Sequence, residues 1–311
     1  MLSVRCLILG GAGFIGANVA RSLVEQGDAV RIFDRPNVDL SNIADVSEHI
    51  EFIGGDFTNP KDLNEALSGI DVVLHLIGTT LPATSVANPV YDIETNVVGT
   101  IKLLELCCQK KTQKIIFPSS GGTIYGRPQT LPIPETHPTN PVCSYGISKL
   151  AIEKYLRLFN ELYGLKYTIL RIANPYGRYQ NQFGQLGAVN VFLWKTITGQ
   201  PIVIWGDGTI ARDYFHIDDL VGAFLLAIKK PTNSHIFNIG SGKAHTLNEV
   251  ISSISEITGI KPVIEYTAGR KFDIPSNYLD ISRAEIELGW RPSVDLDKGL
   301  VLTWEWMKTL K

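Results

Sequence analysis

The sequence lacks the charge excess and the long apolar runs that mark several large classes of protein. Lys and Arg number 29 against 31 Asp and Glu, and no basic run is present, so nothing indicates nucleic acid or a membrane surface as a partner. The longest uncharged apolar stretch in the C-terminal half, Leu220 to Ile228, is far too short to span a bilayer. The first ten residues lack a polar cleavage region. We therefore expect a soluble cytoplasmic protein.

Cysteine is also scarce, and the four cysteines do not have the spacing of metal ligands: they are Cys6, Cys107, Cys108 and Cys143. Adjacent cysteines on one helix are a poor disulfide pair, so we expect reduced, buried thiols and no metal. Internal repeats and low-complexity linkers are absent as well. The 311 residues, 44% of them apolar, suffice for one large domain or two modest ones.

The glycine-rich start of the chain is its most informative segment. An apolar run ends at Leu9, and Gly10, Gly13 and Gly16 follow before a helical pattern begins, which predicts a strand, a tight turn and a helix. Glycine permits a positive φ and lets backbone N–H groups approach a pyrophosphate, and the helix N-terminus adds unpaired donors. We expect a dinucleotide phosphate site here that includes Phe14-Ile15, although a plain tight connection would use the same glycines.

Acidic residues end the next two predicted strands. Asp34 lies about twenty residues beyond the glycines, where a carboxylate accepts from both ribose hydroxyls of the adenosine half. Its charge would repel a 2′-phosphate, so NAD is favoured over NADP, although Arg35 could turn toward a phosphate. Asp56, followed by Phe57, either accepts from the adenine amino group or belongs to the cap of the next helix with Asn59.

The following strand and helix add further candidates to the cofactor side. The run Asp71–Gly78 is nearly all apolar, as a parallel strand covered on both faces should be. It carries Leu76 as a cofactor candidate and His75, which we interpret as a packed or capping histidine rather than as an acid or base. A long helix is predicted from Pro89, with Asn96 in its middle.

Hydroxyl groups and a Tyr-x-x-x-Lys spacing indicate chemistry in the middle of the chain. Ser119 and Ser120 follow the strand Lys114–Phe117, at the strand end where sites form in open α/β sheets, although serine is also an ordinary loop residue. Tyr145 and Lys149 lie four apart at the head of a predicted helix and therefore share one face. A lysine ammonium and a nicotinamide cation would both move the phenol pKa from about 10 toward neutrality, which makes Tyr145 a candidate general base.

The regular alternation of strands and helices lapses after the strand Tyr167–Ile172. A helix near 188–198, a short strand at 201–205 and a closing helix at 300–307 follow without the βαβ rhythm. We predict an α/β fold: a doubly wound parallel sheet of the Rossmann type with a smaller, interleaved C-terminal α/β lobe. Residues 1–172 with about 213–239 form the dinucleotide domain, and 173–212 with 240–311 form the substrate lobe.

Taken together, the motifs resemble the extended short-chain dehydrogenase/reductase family and, within it, the nucleotide-sugar 4-epimerases of the UDP-glucose (UDP-galactose) type. The resemblance runs nearly end to end and rests on Gly10-x-x-Gly13-x-x-Gly16, Asp34, Asp56, Asn96, Ser119-Ser120, Tyr145-x-x-x-Lys149, Asn174-Pro175-Tyr176-Gly177, Arg212-Asp213-Tyr214-Phe215-His216 and Arg270-Lys271-Phe272-Asp273. It implies a tightly held NAD and a sugar nucleotide, most simply a UDP-hexose, that is epimerised at C4 through a 4-keto sugar.

The resemblance also implies roles for the catalytic residues. Tyr145 would be the base, and Lys149 would be its partner and a ligand of the nicotinamide ribose. Ser120 would donate a hydrogen bond to the reacting oxygen, with Ser119 and Thr123 as alternates because this hydroxyl stands one residue earlier than is common.

On the substrate side, the resemblance points mainly to the second half of the chain. Arg212 and Arg270 would clamp the diphosphate, as suits the guanidinium fork, although without the resemblance each would be interpreted as a surface ion pair. Asn174 would contact the sugar or its phosphate, and Asp273 would hold the nucleotide ribose. Ser85 completes the substrate-binding candidates.

Several alternatives stay open. Gly121-Gly122 lies where related 4,6-dehydratases carry an Asp-Glu pair, so dehydration is not expected. Asn277 lies near a gate position of related enzymes, and its medium size admits plain or N-acetylated sugars. A reductase or dehydrogenase with net redox, or a non-catalytic NAD-binding regulator, would keep the same fold. Helices at 90–109 and 144–163 are apolar on more than one face, which predicts a homodimer with a four-helix contact.

Overall fold

Seven parallel strands form the central sheet of the computed structural model, which describes residues 4–184, 187–269 and 274–310. The strands are β1 (Arg5–Leu9), β2 (Ala29–Asp34), β3 (Ile50–Gly54), β4 (Val72–His75), β5 (Lys114–Ser120), β6 (Lys166–Ile172), β7 (Asn174–Tyr176), β8 (Ile202–Trp205), β9 (Ala211–Arg212), β10 (Tyr214–His216), β11 (Ile236–Ile239), β12 (His245–Thr246), β13 (Ile264–Thr267) and β14 (Ser276–Asn277). The helices are α1 (Phe14–Glu25), α2 (Pro60–Ala66), α3 (Pro82–Ser85), α4 (Pro89–Asp92), α5 (Gly99–Gln109), α6 (Ser144–Tyr163), α7 (Ala188–Thr198), α8 (Ile217–Lys229), α9 (Leu247–Thr258) and α10 (Leu296–Lys308).

The strand order of the central sheet is β11-β6-β5-β4-β1-β2-β3, and every neighbouring pair is parallel. The chain starts at β1, moves outward through β2 and β3, and returns to β4 on the other side of β1. The point where the order reverses therefore lies between β1 and β4, and the carboxyl ends of the strands leave a crevice there. This arrangement confirms the predicted doubly wound parallel sheet.

Two apolar cores cover the faces of this sheet. On one face α1 and α8 pack through residues such as Leu23 and Phe224, both fully buried. On the other face α2, α5 and α6 pack through residues such as Leu104 and Leu156. Because both faces are covered, the inner strands are mostly apolar, which explains why the sequence shows them as nearly continuous hydrophobic runs.

A smaller lobe follows, with strands that stay outside the central sheet. β8 pairs with β13, and β9 lies between β12 and β14. Helices α7, α9 and α10 enclose a third core around Leu193, Ile254 and Leu300. The closing helix begins four residues earlier than predicted because Asp295 caps it, accepting a hydrogen bond from the Lys298 N–H.

The helix predicted from Pro89 is interrupted. Its first turn is α4, a π-helical turn at Ile93–Val98 follows, and α5 continues to Gln109. Asn96 lies inside the π-helical turn, where it is buried rather than pointing to solvent. Turns of this kind occur frequently at functional sites.

The cysteines agree only in part with the expectation of buried thiols. All four cysteines are free, but only Cys6 and Cys107 are buried, while Cys108 and Cys143 are partly exposed. Burial raises the pKa of the two buried thiols to about 12. Within the described ranges, no helix is long and apolar enough to cross a membrane, and no cluster of side chains could hold a metal ion.

Candidate active site

The glycine turn joins β1 to α1 at the reversal point of the sheet. Gly10 has a φ of +81°, which an L side chain rarely adopts. A Cβ on Gly16 would lie 2.6 Å from the Gly10 oxygen and from the Gly11 Cα, so the helix packs directly against the turn. No side chain of the described chain caps α1, whose N-cap is Gly13. The first-turn N–H groups are therefore available to an anion.

An open cleft of about 1040 Å³ lies in front of this turn. It brings together the cofactor candidates from the ends of the first four strands: Gly10, Gly13, Asp34, Arg35, Asp56, Phe57 and Leu76. Phe14, Ile15 and Gly16 form the first turn of α1 behind it. The cleft is also lined by Thr79, Tyr91 and Thr95, which the sequence reasoning missed because no motif marks them.

The two carboxylates of the cleft are held differently. Asp34 accepts from the Ala12 N–H at 3.2 Å and from the N–H of the next residue at 2.9 Å, so it is fixed beside the glycine turn. Asp56 is exposed and accepts from the Thr58 N–H and hydroxyl, each at 2.8 Å. The cap of α2 belongs to Asn59 itself, so the Asp56 carboxylate stays on the cleft wall.

Tyr145 and Lys149 lie on one face of the first turns of α6, as the spacing predicted. Lys149 is buried, and its Nζ donates to the Pro118 oxygen at 2.9 Å. The same Nζ lies 5.6 Å from the Tyr145 ring centre and 4.5 Å from that of Phe117. The ammonium therefore joins α6 to the end of β5, where the candidate hydroxyls stand.

The pKa of Tyr145 does not follow the expectation from its spacing to Lys149. Tyr145 is half-buried at the head of α6. Burial, reinforced by the charges of Cys143 and Asp92, raises its pKa to about 12. Burial also lowers the pKa of Lys149 to about 8. Desolvation therefore outweighs the lysine charge in the protein alone, and the expected lowering requires a further cation such as oxidised nicotinamide.

The hydroxyl candidates surround the end of β5. Ser120 is the last residue of the strand and is partly exposed. The hydroxyls of Ser119 and Thr123 are buried without a hydrogen-bond partner in the part of the chain that the structure describes. Ser85 is fully buried, and its Oγ accepts from the Tyr145 N–H at 3.0 Å. Together with the uncapped helix and the cleft, these unsatisfied hydroxyls fit a bound dinucleotide.

Asn96 reaches the cleft indirectly. Its Oδ1 accepts from the Thr79 N–H at 3.1 Å, and its Nδ2 donates to the Thr79 hydroxyl at 2.9 Å. Asn96 therefore holds a residue of the cleft wall in place instead of lining the wall itself.

Three of the residues expected on the substrate side lie in the small sheets: Asn174 in β7, Arg212 in β9 and Asn277 in β14. Arg212 in β9 is paired in register with Asn277 in β14. Asn277 is 2% exposed, and neither atom of its amide has a hydrogen-bond partner among the described residues. Asn174 donates from Nδ2 to the backbone oxygen of Asp213 at 3.2 Å. Arg270 and Asp273 lie outside the described residues.

Two buried residues that the motifs did not reveal support α6. Arg171 donates from Nη2 and Nε to the two oxygens of Glu153, at 2.7 and 3.1 Å. Both are 3% exposed, so this ion pair ties α6 to β6 inside the molecule. The sequence could have indicated Glu153, because it lies four residues after Lys149 and therefore on the same face of the helix as Tyr145 and Lys149. His75 packs as expected, with Nε2 bonded to the Thr100 hydroxyl at 2.8 Å.

Comparisons with known proteins agree with this geometry. The NAD dependent epimerase/dehydratase family matches residues 6–240. A putative UDP-glucose 4-epimerase of Methanocaldococcus jannaschii is 39% identical over 304 residues, covering 97% of this chain and 98% of that protein. A dTDP-4-dehydro-6-deoxyglucose reductase of Escherichia coli is 37% identical and covers 94% of each chain. The UDP-glucose 4-epimerase of Thermotoga maritima, solved with UDP-glucose, superposes with a TM-score of 0.93 at 38% identity, covering 99% of this chain and 100% of that one. The resemblance inferred from the motifs is confirmed, and the chain belongs to the NAD dependent epimerase/dehydratase family.

Proposed function

We propose that this chain is an NAD-dependent isomerase that inverts C4 of a nucleoside-diphosphate hexose, with UDP-glucose and UDP-galactose as the substrate pair. The observation that carries the proposal is the Tyr145 and Lys149 pair at the head of α6, beside the end of β5, in a sheet whose glycine turn opens onto a dinucleotide-sized cleft. Relatives named UDP-glucose 4-epimerase match nearly the whole chain.

The cofactor is held by the dinucleotide domain, which we assign to residues 1–172 and about 213–239. The uncapped turn around Gly13 would receive the pyrophosphate, and Asp34 would accept from the ribose hydroxyls. NAD, when bound, supplies reversible two-electron redox chemistry at C4, so that no net oxidation results. Asp34 also disfavours a 2′-phosphate because its carboxylate stands beside the glycine turn.

The proton is handled by the first turns of α6. Tyr145 would take the proton of the C4 hydroxyl as a phenolate and return it to the same oxygen after the sugar has turned over. Burial disfavours that phenolate, so the Lys149 ammonium and the oxidised nicotinamide would be needed together to offset the cost. Ser120 would donate to the reacting oxygen, with Ser119 and Thr123 as the alternates.

The substrate would be held by the lobe that we assign to residues 173–212 and 240–311. Arg212, with Arg270, would bind the diphosphate, while Asn174 would contact the sugar or its phosphate. Because only the nucleoside diphosphate is gripped firmly, the hexose ring is free to rotate and to offer either face of C4. The amide of Asn277, beside the Arg212 strand, is buried and has no hydrogen-bond partner among the described residues, and it would meet the part of the sugar that differs between plain and N-acetylated substrates.

Turnover of purified protein tests the proposal. A panel of UDP-, dTDP-, GDP- and CDP-hexoses is incubated without added nicotinamide, and the epimers are resolved by chromatography. Tyr145→Phe should abolish interconversion and preserve sugar-nucleotide binding, since only the proton acceptor is removed. The matched control Tyr163→Phe, at the exposed end of the same helix, should retain full activity. Unimpaired turnover of Tyr145→Phe would remove that residue from the mechanism.

A reductase is the second candidate, because the Escherichia coli relative that acts as a reductase is 37% identical. Such an enzyme releases its nicotinamide in every cycle. A requirement for added NADH or NADPH, with net consumption of it, would favour the reductase over the isomerase.

We further propose a homodimer formed through the helices that precede and contain Tyr145. Both present large exposed apolar side chains: Val90, Ile93, Val98, Ile147, Leu158 and Leu162. Two helices from each copy would bury these side chains in a four-helix contact. Sedimentation of the purified protein would measure the assembled mass.

A further inference from the structure

Asp92 is a completely buried carboxylate at the junction between α4 and the π-helical turn. One of its oxygens, Oδ1, accepts from the Thr80 hydroxyl and from Asn96 Nδ2, the latter at 3.0 Å. Both donors belong to the cofactor side, since Thr80 follows Thr79 on the cleft wall and Asn96 holds Thr79. This half of the carboxylate is therefore anchored to the cleft.

The other oxygen of Asp92 is bonded to α6. Ser144 and Ser148 each donate from Oγ to Oδ2 at 2.7 Å. The two serines are four residues apart, and each directly precedes Tyr145 or Lys149. Two bonds from one oxygen to successive turns restrict rotation of the helix about its own axis, and that rotation decides where the next residues point.

Among the described residues, the side chains that donate to the Asp92 carboxylate are neutral, namely three hydroxyls and one amide. In a buried site such a charge acts strongly on its neighbours. It favours the protonated form of Lys149, as Glu153 does, and it opposes ionisation of Tyr145, as Cys143 does.

His75, at the end of β4, is a further titratable group that interacts with Lys149. Burial and the charge of Lys149 lower the pKa of its imidazole to about 3, so it is neutral. Asp92 is therefore the acidic group that the cofactor side contributes to the field at the Tyr-Lys pair.

We propose that Asp92 is a positioning residue for the reaction: it fixes the rotation of α6 that presents Tyr145 and Lys149 to the cleft, and it holds a negative charge next to that turn of the helix. The inference rests on the proposed function for the meaning of that geometry. It predicts two separable effects, one from the hydrogen bonds to the serines and one from the charge.

Asp92→Asn in the full-length, NAD-loaded protein removes the charge and turns one of the two acceptor oxygens into a donor, so the hydrogen bonds on one side of the side chain are lost. We expect kcat to fall roughly 10- to 100-fold, as for a misplaced reacting group, with KM nearly unchanged because the diphosphate grip is elsewhere. Ionisation of Tyr145 should move to lower pH by roughly one unit, since a neighbouring negative charge is lost. Ultraviolet difference titration of each protein against its Tyr145→Phe counterpart isolates this phenol.

The double variant Ser144→Ala/Ser148→Ala separates the two effects. It keeps the charge of Asp92 and removes the bonds to α6, so kcat should fall while the ionisation of Tyr145 stays in place. This variant also keeps the test open if Asp92→Asn fails to fold.

Asp219→Asn is the matched control. Asp219 is a buried carboxylate that accepts from the Ser293 hydroxyl at 2.9 Å, and it lies on α8, on the opposite face of the sheet. Its variant should retain both kcat and the ionisation of Tyr145.

Unchanged kcat and unchanged Tyr145 ionisation in Asp92→Asn would overturn the proposal, as would a serine double variant with full kcat. If the wild type interconverts no nucleotide sugar, the proposed function fails. The titration still decides on Asp92 in that case, because a shift supports its action on Tyr145 and its absence refutes it.

Discussion

Replacing Glu153 by Gln should destabilise the protein far more than a change of one polar side chain on a long helix usually does. Arg171 donates to both oxygens of Glu153, and both residues are 3% exposed. Glutamine keeps the shape but turns one acceptor into a donor that faces the guanidinium. One hydrogen bond is lost, and the arginine charge remains buried without its counter-charge, which costs about 3–5 kcal/mol.

The other contacts of Arg171 do not offset this loss. Its Nη1 donates to the Tyr125 hydroxyl at 3.0 Å and to the Glu135 backbone oxygen at 3.2 Å, and both acceptors are neutral. Since 1.4 kcal/mol corresponds to a factor of ten, the unfolded population should rise by about two to three and a half powers of ten. A domain with a typical stability of about 5–15 kcal/mol would lose a large share of it.

Urea unfolding followed by tryptophan fluorescence measures this change. NAD is held at one saturating concentration, because a bound ligand adds stability by mass action. Glu161→Gln is the matched control, since Glu161 pairs with Arg157 on the same helix with both side chains exposed. Water and salt screen that pair, so its loss should produce no measurable change.

The double variant Glu153→Leu/Arg171→Met completes the test. An apolar pair of similar volume leaves no charge uncompensated, so this variant should recover most of the stability lost in Glu153→Gln. A loss in Glu153→Gln below about 1 kcal/mol, the upper range for exposed pairs, would refute the reasoning. Equal losses in Glu153→Gln and in Glu161→Gln would refute it as well.

Two further predictions concern the glycine turn and His75. Gly16→Ala would place a Cβ against the backbone of the turn, so the purified variant should carry less NAD, measured by release and absorbance. Gly222→Ala is the control, because its Cβ would lie no closer than 3.8 Å to the Trp290 ring, and it should carry the wild-type amount of NAD. Burial lowers the pKa of His75 to about 3, so between that value and the ordinary 6.5 only the unfolded chain binds the proton. The free energy of unfolding should therefore decrease as the pH is lowered. From pH 7 to pH 5 the wild type should lose about 2 kcal/mol more of it than His75→Gln does. Parallel urea titrations at both pH values check this, and equal losses would contradict it.

Much of the central sheet was readable from the sequence because its inner strands are covered on both faces. Runs such as Asp71–Gly78 are nearly all apolar and are bounded by glycine or aspartate, and the helices between them have a regular period. The glycine turn and the Tyr145 to Lys149 spacing could also be predicted, because each is formed by residues that are close together in the sequence.

The expectations that failed depend on the surroundings of a residue rather than on its neighbours in sequence. Lys149 does stand beside Tyr145, but burial raises the pKa of Tyr145 in the protein alone, where the spacing predicted that it would be lowered. The π-helical turn around Asn96 exists where its amide bonds to Asp92 and to the Thr79 segment, which no periodicity encodes.

The sequence by itself determined the order of strands and helices, the glycine turn and the family, because these follow from local spacing and residue chemistry. Only the tertiary structure decided which distant side chains meet: Asp92 with Ser144 and Ser148, and Glu153 with Arg171. Such contacts arise when the whole sheet and its helices pack, and their energies depend on burial. Burial is a property of the assembled fold, which a pattern of neighbouring residues does not contain.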